Sequence, residues 1–143
     1  MISLRFATAT HALLLMAHAR ADAPEKALSS SLLADSIGAN PVVVRRVLAD
    51  LGKAGIVESR TGSKGGVWLA RPAGKIRLNE VYAALDETPA LKARPRSGNN
   101  ACPVADAAPA VICNMINGME QAVHAELSKL TLIQLVGRLT KST

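Results

Sequence analysis

Apolar residues in the first twenty positions recur at steps of three and four: Leu4, Ala7, His11, Leu14, Leu15 and His18. That spacing predicts an amphipathic helix from Ser3 to about Arg20, whose apolar face requires a docking partner, with His11 and His18 as its partly buried polar caps. Residues 21–28, with Pro24, read as a loop. Ser29 or Ser30 then supplies the cap of a second helix carrying Leu32, Leu33, Ala34 and Ile37, and Gly38 ends it, because glycine accepts the left-handed conformation of a helix end. The turn is only Gly38 and Ala39. Asn40 caps a third helix and Pro41 takes its first position, where a missing N–H costs nothing. On that helix Val44, Val47, Leu48 and Leu51 follow i, i+3, i+4, i+7 and form one inward stripe.

The period then changes. Residues 56–60 and 67–70 are β-like runs, and between them Thr61-Gly62-Ser63-Lys64-Gly65-Gly66 is a flexible basic hairpin tip. Leu78, Val81, Tyr82 and Leu85 belong to a short helix, and residues 87–100, with Pro89, Pro95 and Gly98, are loop-like and mobile in expectation. The longest helical stretch runs from Cys102 to Leu130, with Val104, Ala108, Val111, Met115, Met119, Val123 and Leu127 at near-heptad steps and with Pro109 expected to kink it or delay its regular start. Thr131 caps a last short helix holding Leu132, Leu135 and Leu139.

The elements describe a mostly α protein with a small β-wing: a winged helix-turn-helix head over residues 1–86, a flexible loop over 87–101, and a dimerisation helix with a C-terminal helix over 102–143. Composition agrees, because Phe6, Trp68 and Tyr82 are the only aromatic residues among 143, leaving a core of Leu, Val, Ile, Ala and Met that favours helices. The head is already closed without the long helix, so the apolar stripe of that helix is expected to meet a second subunit, giving a homodimer.

Charge sharpens the picture. Residues 1–78 hold eleven Lys and Arg against five Asp and Glu, whereas residues 79–143 hold six of each, so the whole net charge of +6 belongs to the head. A localised basic face attracts a polyanion through counterion release, and duplex DNA is the usual one. Val42, Arg45 and Arg46 lie off the inward stripe and suit the major groove, where arginine bonds guanine O6 and N7 and a valine methyl touches thymine. Ser30, Asn40, Pro41, Arg60, Lys64 and Gly65 complete the expected DNA-binding set, as phosphate or minor-groove contacts at the first helical turns and the wing tip. A phosphate-cradling loop is a poor alternative for G-S-K-G-G, which lacks P-loop spacing and leads into a strand instead of a helix.

Other chemistry is sparse. Two cysteines, Cys102 and Cys113, make neither a disulfide scaffold nor a tetrahedral zinc site, and a reducing cytoplasm is expected. The N-terminus imitates a secretory signal, but its apolar run from 12 to 17 is short and flanked by His11 and His18, and nothing approaches the roughly 18 apolar residues of a membrane span. No carboxylate pair, activated nucleophile or metal constellation points to an enzyme. The competing function is a protein-interaction module built on the same fold, without sequence-specific DNA binding.

Arg5-Phe6 and His11-Ala-Leu, Asn40-Pro-Val-Val-Val-Arg-Arg-Val-Leu, Gly62 to Gly66, Leu78-Asn-Glu-Val-Tyr, Asn100-Ala-Cys-Pro-Val and Thr131-Leu resemble, over almost the whole chain, the IscR/NsrR/CymR-type (Rrf-two) family of winged helix-turn-helix transcriptional regulators. The resemblance implies a dimeric regulator, usually a repressor, on an imperfect palindrome, with long crossed helices forming the dimer. It also marks departures. Cluster-binding members carry three cysteines between wing and long helix, and here only Cys102 matches, so no cofactor is expected. Lys64 stands where relatives often have glycine. Cys102, at a helix N-terminus and near Arg94 and Arg96 in sequence, is a candidate redox switch or an inert cap, while Cys113 reads as packed.

Overall fold

A computed structural model of the chain describes residues 3–85 and 102–141. In order, α1 spans Leu4–His18, α2 Ser30–Ile37, α3 Pro41–Lys53, β1 Val57–Arg60, β2 Gly66–Leu69, α4 Leu78–Ala84, α5 Pro103–Ser128 and α6 Leu132–Leu139, with short 3-10 turns at Pro24–Lys26 and Ala73–Lys75. The expected loop over 87–101, with Arg94 and Arg96, lies outside the described residues.

The helix-turn-helix is fixed by its caps. Ser29, not Ser30, is the cap of α2, its Oγ accepting the Leu32 N–H at 3.1 Å. Gly38 sits at φ +71° in the left-handed region, and its N–H donates to the carbonyls of Ala34 and Asp35. Asn40 Oδ1 accepts the Val42 N–H at 2.8 Å and Pro41 occupies the first position of α3, so the chain reverses in two residues. A side-chain cap of this type contributes about 1 kcal/mol. From α3, Val44, Val47 and Leu51 are fully buried and Leu48 packs partly against the same core.

α1 presents the opposite face from the one its spacing suggests. Phe6, Ala9, Ala12, Leu13 and Met16 are buried, whereas His11 and His18 are exposed and Leu4 is 81% exposed. Almost every position of this helix is apolar or small, so two faces satisfy the same period, and the head takes the one carrying Phe6, Leu13 and Met16. The other face, with Leu139 of α6 and Thr140 just beyond it, walls an open apolar groove of about 770 Å³.

β1 and β2 pair antiparallel, from Val57 opposite Leu69 to Arg60 opposite Gly66. Leu28, in the stretch read as loop, bridges Val67 on the far edge of β2, exchanging backbone hydrogen bonds of 2.8 and 2.9 Å. Trp68 Nε1–H donates to Glu58 across the pair at 3.1 Å.

After the wing the chain leaves the head and returns to it. Leu132 is fully buried in the same core as α1 and α3, and Val123, Leu127, Leu130 and Leu135 pack against that core. The return is also stitched through backbone: the Leu78 N–H donates to Leu130 at 3.0 Å and the Leu132 N–H to Ile76 at 2.9 Å. The Tyr82 hydroxyl donates to the Glu120 carboxylate of α5 at 3.0 Å, and the Tyr82 ring meets Phe6 and His124 edge-on at 5.6 and 5.3 Å. The remainder of α5 is different. Val104, Val111, Ile112, Met115 and Met119 are exposed. Pro109 does not delay the helix, which starts at Pro103 and continues through it; that position simply forgoes the bond its N–H would have made.

Candidate nucleic-acid interface

Burial of Val44, Val47 and Leu51 turns the other side of α3 outward, so Val42, Arg45, Arg46, Ala49 and Lys53 are all exposed along it. Arg45 Nε–H donates to the Pro41 carbonyl at 3.3 Å, which lays its guanidinium back toward the N-terminus of α3 and leaves its other N–H groups uncommitted by that bond. The amides at 40–42 offer less to an anion than their position suggests. Pro41 has no N–H and that of Val42 is held by Asn40, whose own oxygen is thereby committed to the cap.

In the wing, Arg60 Nη2–H donates to the Lys64 carbonyl at 3.1 Å and closes the tip. Gly65 follows from the same closure: a Cβ there would stand 2.2 Å from the Arg60 carbonyl oxygen and 2.8 Å from the carbonyl carbon of Thr61. Gly65 thus shapes the tip, while the side chain of Lys64 stands exposed on it. Ser30 is half-buried in the first turn of α2.

Between α3 and β1 lies a cleft of about 510 Å³ lined by Arg45, Leu48, Ala49, Gly52, Lys53 and Ser59. It gathers Arg45 with Lys53 and Ser59, neither of which the sequence reading singled out. Lys53 was legible, since it lies eight residues beyond Arg45 and therefore on the same face of a helix. Ser59 carried no signal beyond its place in a strand, two residues from buried Val57 yet itself exposed.

The electrostatics favour the same face. Arg5 pairs with Asp50, Lys26 with Asp22, Arg71 with Glu80 and Lys129 with Glu126. Among the described residues, Arg45, Arg46, Lys53, Arg60 and Lys64 have no carboxylate partner, and the carboxylates nearest in sequence are committed, Asp50 to Arg5 and Glu58 to Trp68. Uncompensated cations keep their full attraction for an incoming anion. Arg5 also donates to the Leu85 carbonyl at 3.2 Å, tying α1, α3 and α4 together behind the exposed face. Glu80, at the start of α4, accepts from the Arg77 N–H and the Arg71 guanidinium, which hold its carboxyl below the usual carboxylate range.

Cys102 is half-buried at the cap position of α5 and makes no side-chain capping bond; Cys113 is half-buried further along the same helix. The two stand eleven residues apart, about 16 Å along a helix. Among the described residues no group of three or more His, Cys, Asp or Glu is placed to hold a metal ion. A cluster held largely by thiolates needs about four ligands, and the donors of this chain do not fit one.

A family model described as "Iron-dependent Transcriptional regulator", Rrf2, matches residues 2–138. A Bacillus subtilis (strain 168) protein, YwnA, provisionally named an HTH-type transcriptional regulator, is 34% identical over 139 residues, covering 97% of this chain and 99% of its own. A solved structure provisionally described as a DNA-binding protein is 32% identical with a TM-score of 0.68, covering 92% of this chain and 97% of that one. The T. potens IscR structure, at 18% identity, has a TM-score of 0.70 over 100% of this chain and 90% of its own, which speaks for the fold alone. No helix among the described residues is long and apolar enough to cross a membrane. With a family model matching residues 2–138 and a relative 34% identical over nearly the whole chain, the chain belongs to the Rrf2 family of transcriptional regulators.

Proposed function

We propose that this regulator acts in the cytoplasm as a homodimeric repressor on a palindromic operator, with α3 in the major groove and the wing on the adjacent minor groove. The observation that carries the reading is the exposed row Val42, Arg45 and Arg46, set opposite a fully buried stripe and free of carboxylates. Arg45 and Arg46 read base edges, Val42 contacts a thymine methyl, and Arg60 and Lys64 hold backbone or minor groove. Asn40, Pro41, Gly65 and Ser30 set the turns that present these side chains.

Dimerisation follows from two uncovered apolar surfaces on one chain: the α5 face at Val104, Val111, Met115 and Met119, and the groove along α1. Large exposed apolar patches on a soluble domain mark association. Cys102, near the open end of α5, is the position where oxidation would alter that association.

Arg45→Ala and Arg46→Ala should each cost about 1 to 3 kcal/mol on the operator and relax sequence preference, whereas Lys64→Ala should weaken operator and random duplexes alike and flatten the salt dependence by about one unit per half-site. Equal losses of all three on both duplexes would sink these roles and point to sequence-blind electrostatics. For the switch, release from DNA by oxidant should disappear in Cys102→Ser; unchanged release removes it.

A further inference from the structure

Beside the base-reading Arg45, the cleft between α3 and β1 holds Lys53 and Ser59, which the reading of bases by α3 does not use. Along α3, Arg45, Ala49 and Lys53 follow one another at steps of four, so the two cations stand at opposite ends of a row roughly 12 Å long. Ser59 closes the cleft from the strand side, exposed and without a hydrogen bond among the described residues. Between the cations the wall is Leu48, partly packed into the core, with the small residues Ala49 and Gly52. At Gly52 a Cβ would meet only the Val57 carbonyl oxygen at 4.0 Å, an ordinary contact, so packing does not demand glycine there. Its effect is to leave the cleft open.

We propose that this cleft seats a phosphodiester of the DNA strand that divides the major groove from the minor groove. The inference rests on the reading in which α3 enters one groove and the wing approaches the next. The strand that separates two adjacent grooves must then cross the surface between helix and wing, and that surface is the cleft. Arg45 and Lys53 flank the crossing, the Ser59 hydroxyl donates to a phosphate oxygen, and the bare stretch at Ala49 and Gly52 lets the sugar-phosphate chain approach closely. Lys53 has a competing, purely internal role. As the basic residue in the last turn of α3 it also complements the negative end of the helix dipole. The test must separate the two.

Lys53→Gln and Ala49→Glu are compared with the wild-type chain on two duplexes, one recovered by selection from a random-sequence library and one a scrambled version of it, across a salt series. Ala49 is exposed, and glutamate is a good helix former, so the second variant keeps the fold while placing a negative charge in the cleft. Both variants should lose affinity by the same factor on both duplexes, and Lys53→Gln should flatten the slope of log affinity against log salt by about 0.9 per half-site. A neutral methylphosphonate walked through the selected site should weaken the wild type at each contacted phosphate, and at one phosphate per half-site its effect should vanish in Lys53→Gln while the others persist. An unchanged salt slope, or a methylphosphonate effect that persists undiminished at every phosphate in Lys53→Gln, overturns the seat and leaves Lys53 as a helix-end charge. Failure of the underlying reading looks different, because selection would then recover no preferred sequence for the wild type.

Discussion

Replacing Leu132 with alanine tests whether the segment beyond the long helix belongs to the core of the head. Leu132 is fully buried in the core against which Val123, Leu127, Leu130 and Leu135 also pack, some fifty residues after α4. Leu→Ala removes three carbon groups, worth about 2.4 kcal/mol at about 0.8 kcal/mol each. The cavity left behind adds to this, and backbone bonds from Leu132 to Ile76 and from Leu78 to Leu130 hinder the site from collapsing onto it. A loss of about 3 to 4 kcal/mol follows, within the range measured for buried leucines. Ile133, next in sequence and 52% exposed, is the control, with an expected loss below about 1 kcal/mol. Urea unfolding at several protein concentrations measures both and separates folding from association. In a chain of this size the larger loss should appear as a fall of roughly 10 °C in melting temperature. If Leu132→Ala cost no more than Ile133→Ala, the head would be complete without the C-terminal return and the core described above would be wrong.

Three further outcomes are expected. Gly65→Ala forces a Cβ against the Arg60 carbonyl, so it should cost about 1 to 3 kcal/mol or open the wing tip, read as weaker binding to every duplex sequence; unaltered binding and stability would mean the tip is not closed as described. Asn40→Ala removes the cap of α3 and should lower stability by about 1 kcal/mol in urea unfolding, with an unchanged midpoint counting against the capping bond. Glu80 has a carboxyl held below its ordinary value of 4.5, so its contribution is present above that pH and is lost as pH falls through the folded value. Glu80→Gln should therefore flatten the acid limb of the stability curve while leaving its slope above neutrality alone; an identical acid limb would contradict the assignment.

Much of this molecule was legible where cause and effect are close in sequence. Ser29, Gly38, Asn40 and Pro41 each act on residues within four positions, so the helix-turn-helix could be read directly, and the α3 stripe followed from a clean division of apolar and charged positions. α1 offered no such division. With apolar or small residues on nearly all sides, only the shape of the rest of the head decides which face is buried, and that depends on partners up to 130 residues away. The same limit hid Leu28 beside β2 and Leu132 in the core, both products of long-range pairing. Of the candidate interface, the cations on α3 and the wing tip were readable, whereas the cleft joining Arg45, Lys53 and Ser59 exists only once strand and helix are packed.

The clamp of α5 against the head gives the molecule a lever. Tyr82 and Glu120, with the Leu130 to Leu132 return behind them, form the fulcrum, and from Glu120 to Cys102 the helix extends eighteen residues, about 27 Å, without a fully buried residue. A tilt of about 5° at the fulcrum moves the far end by roughly 2 Å over that arm. Over the same arm, a displacement of one bond length or so at the Cys102 end corresponds to a rotation of only about 3° at the fulcrum.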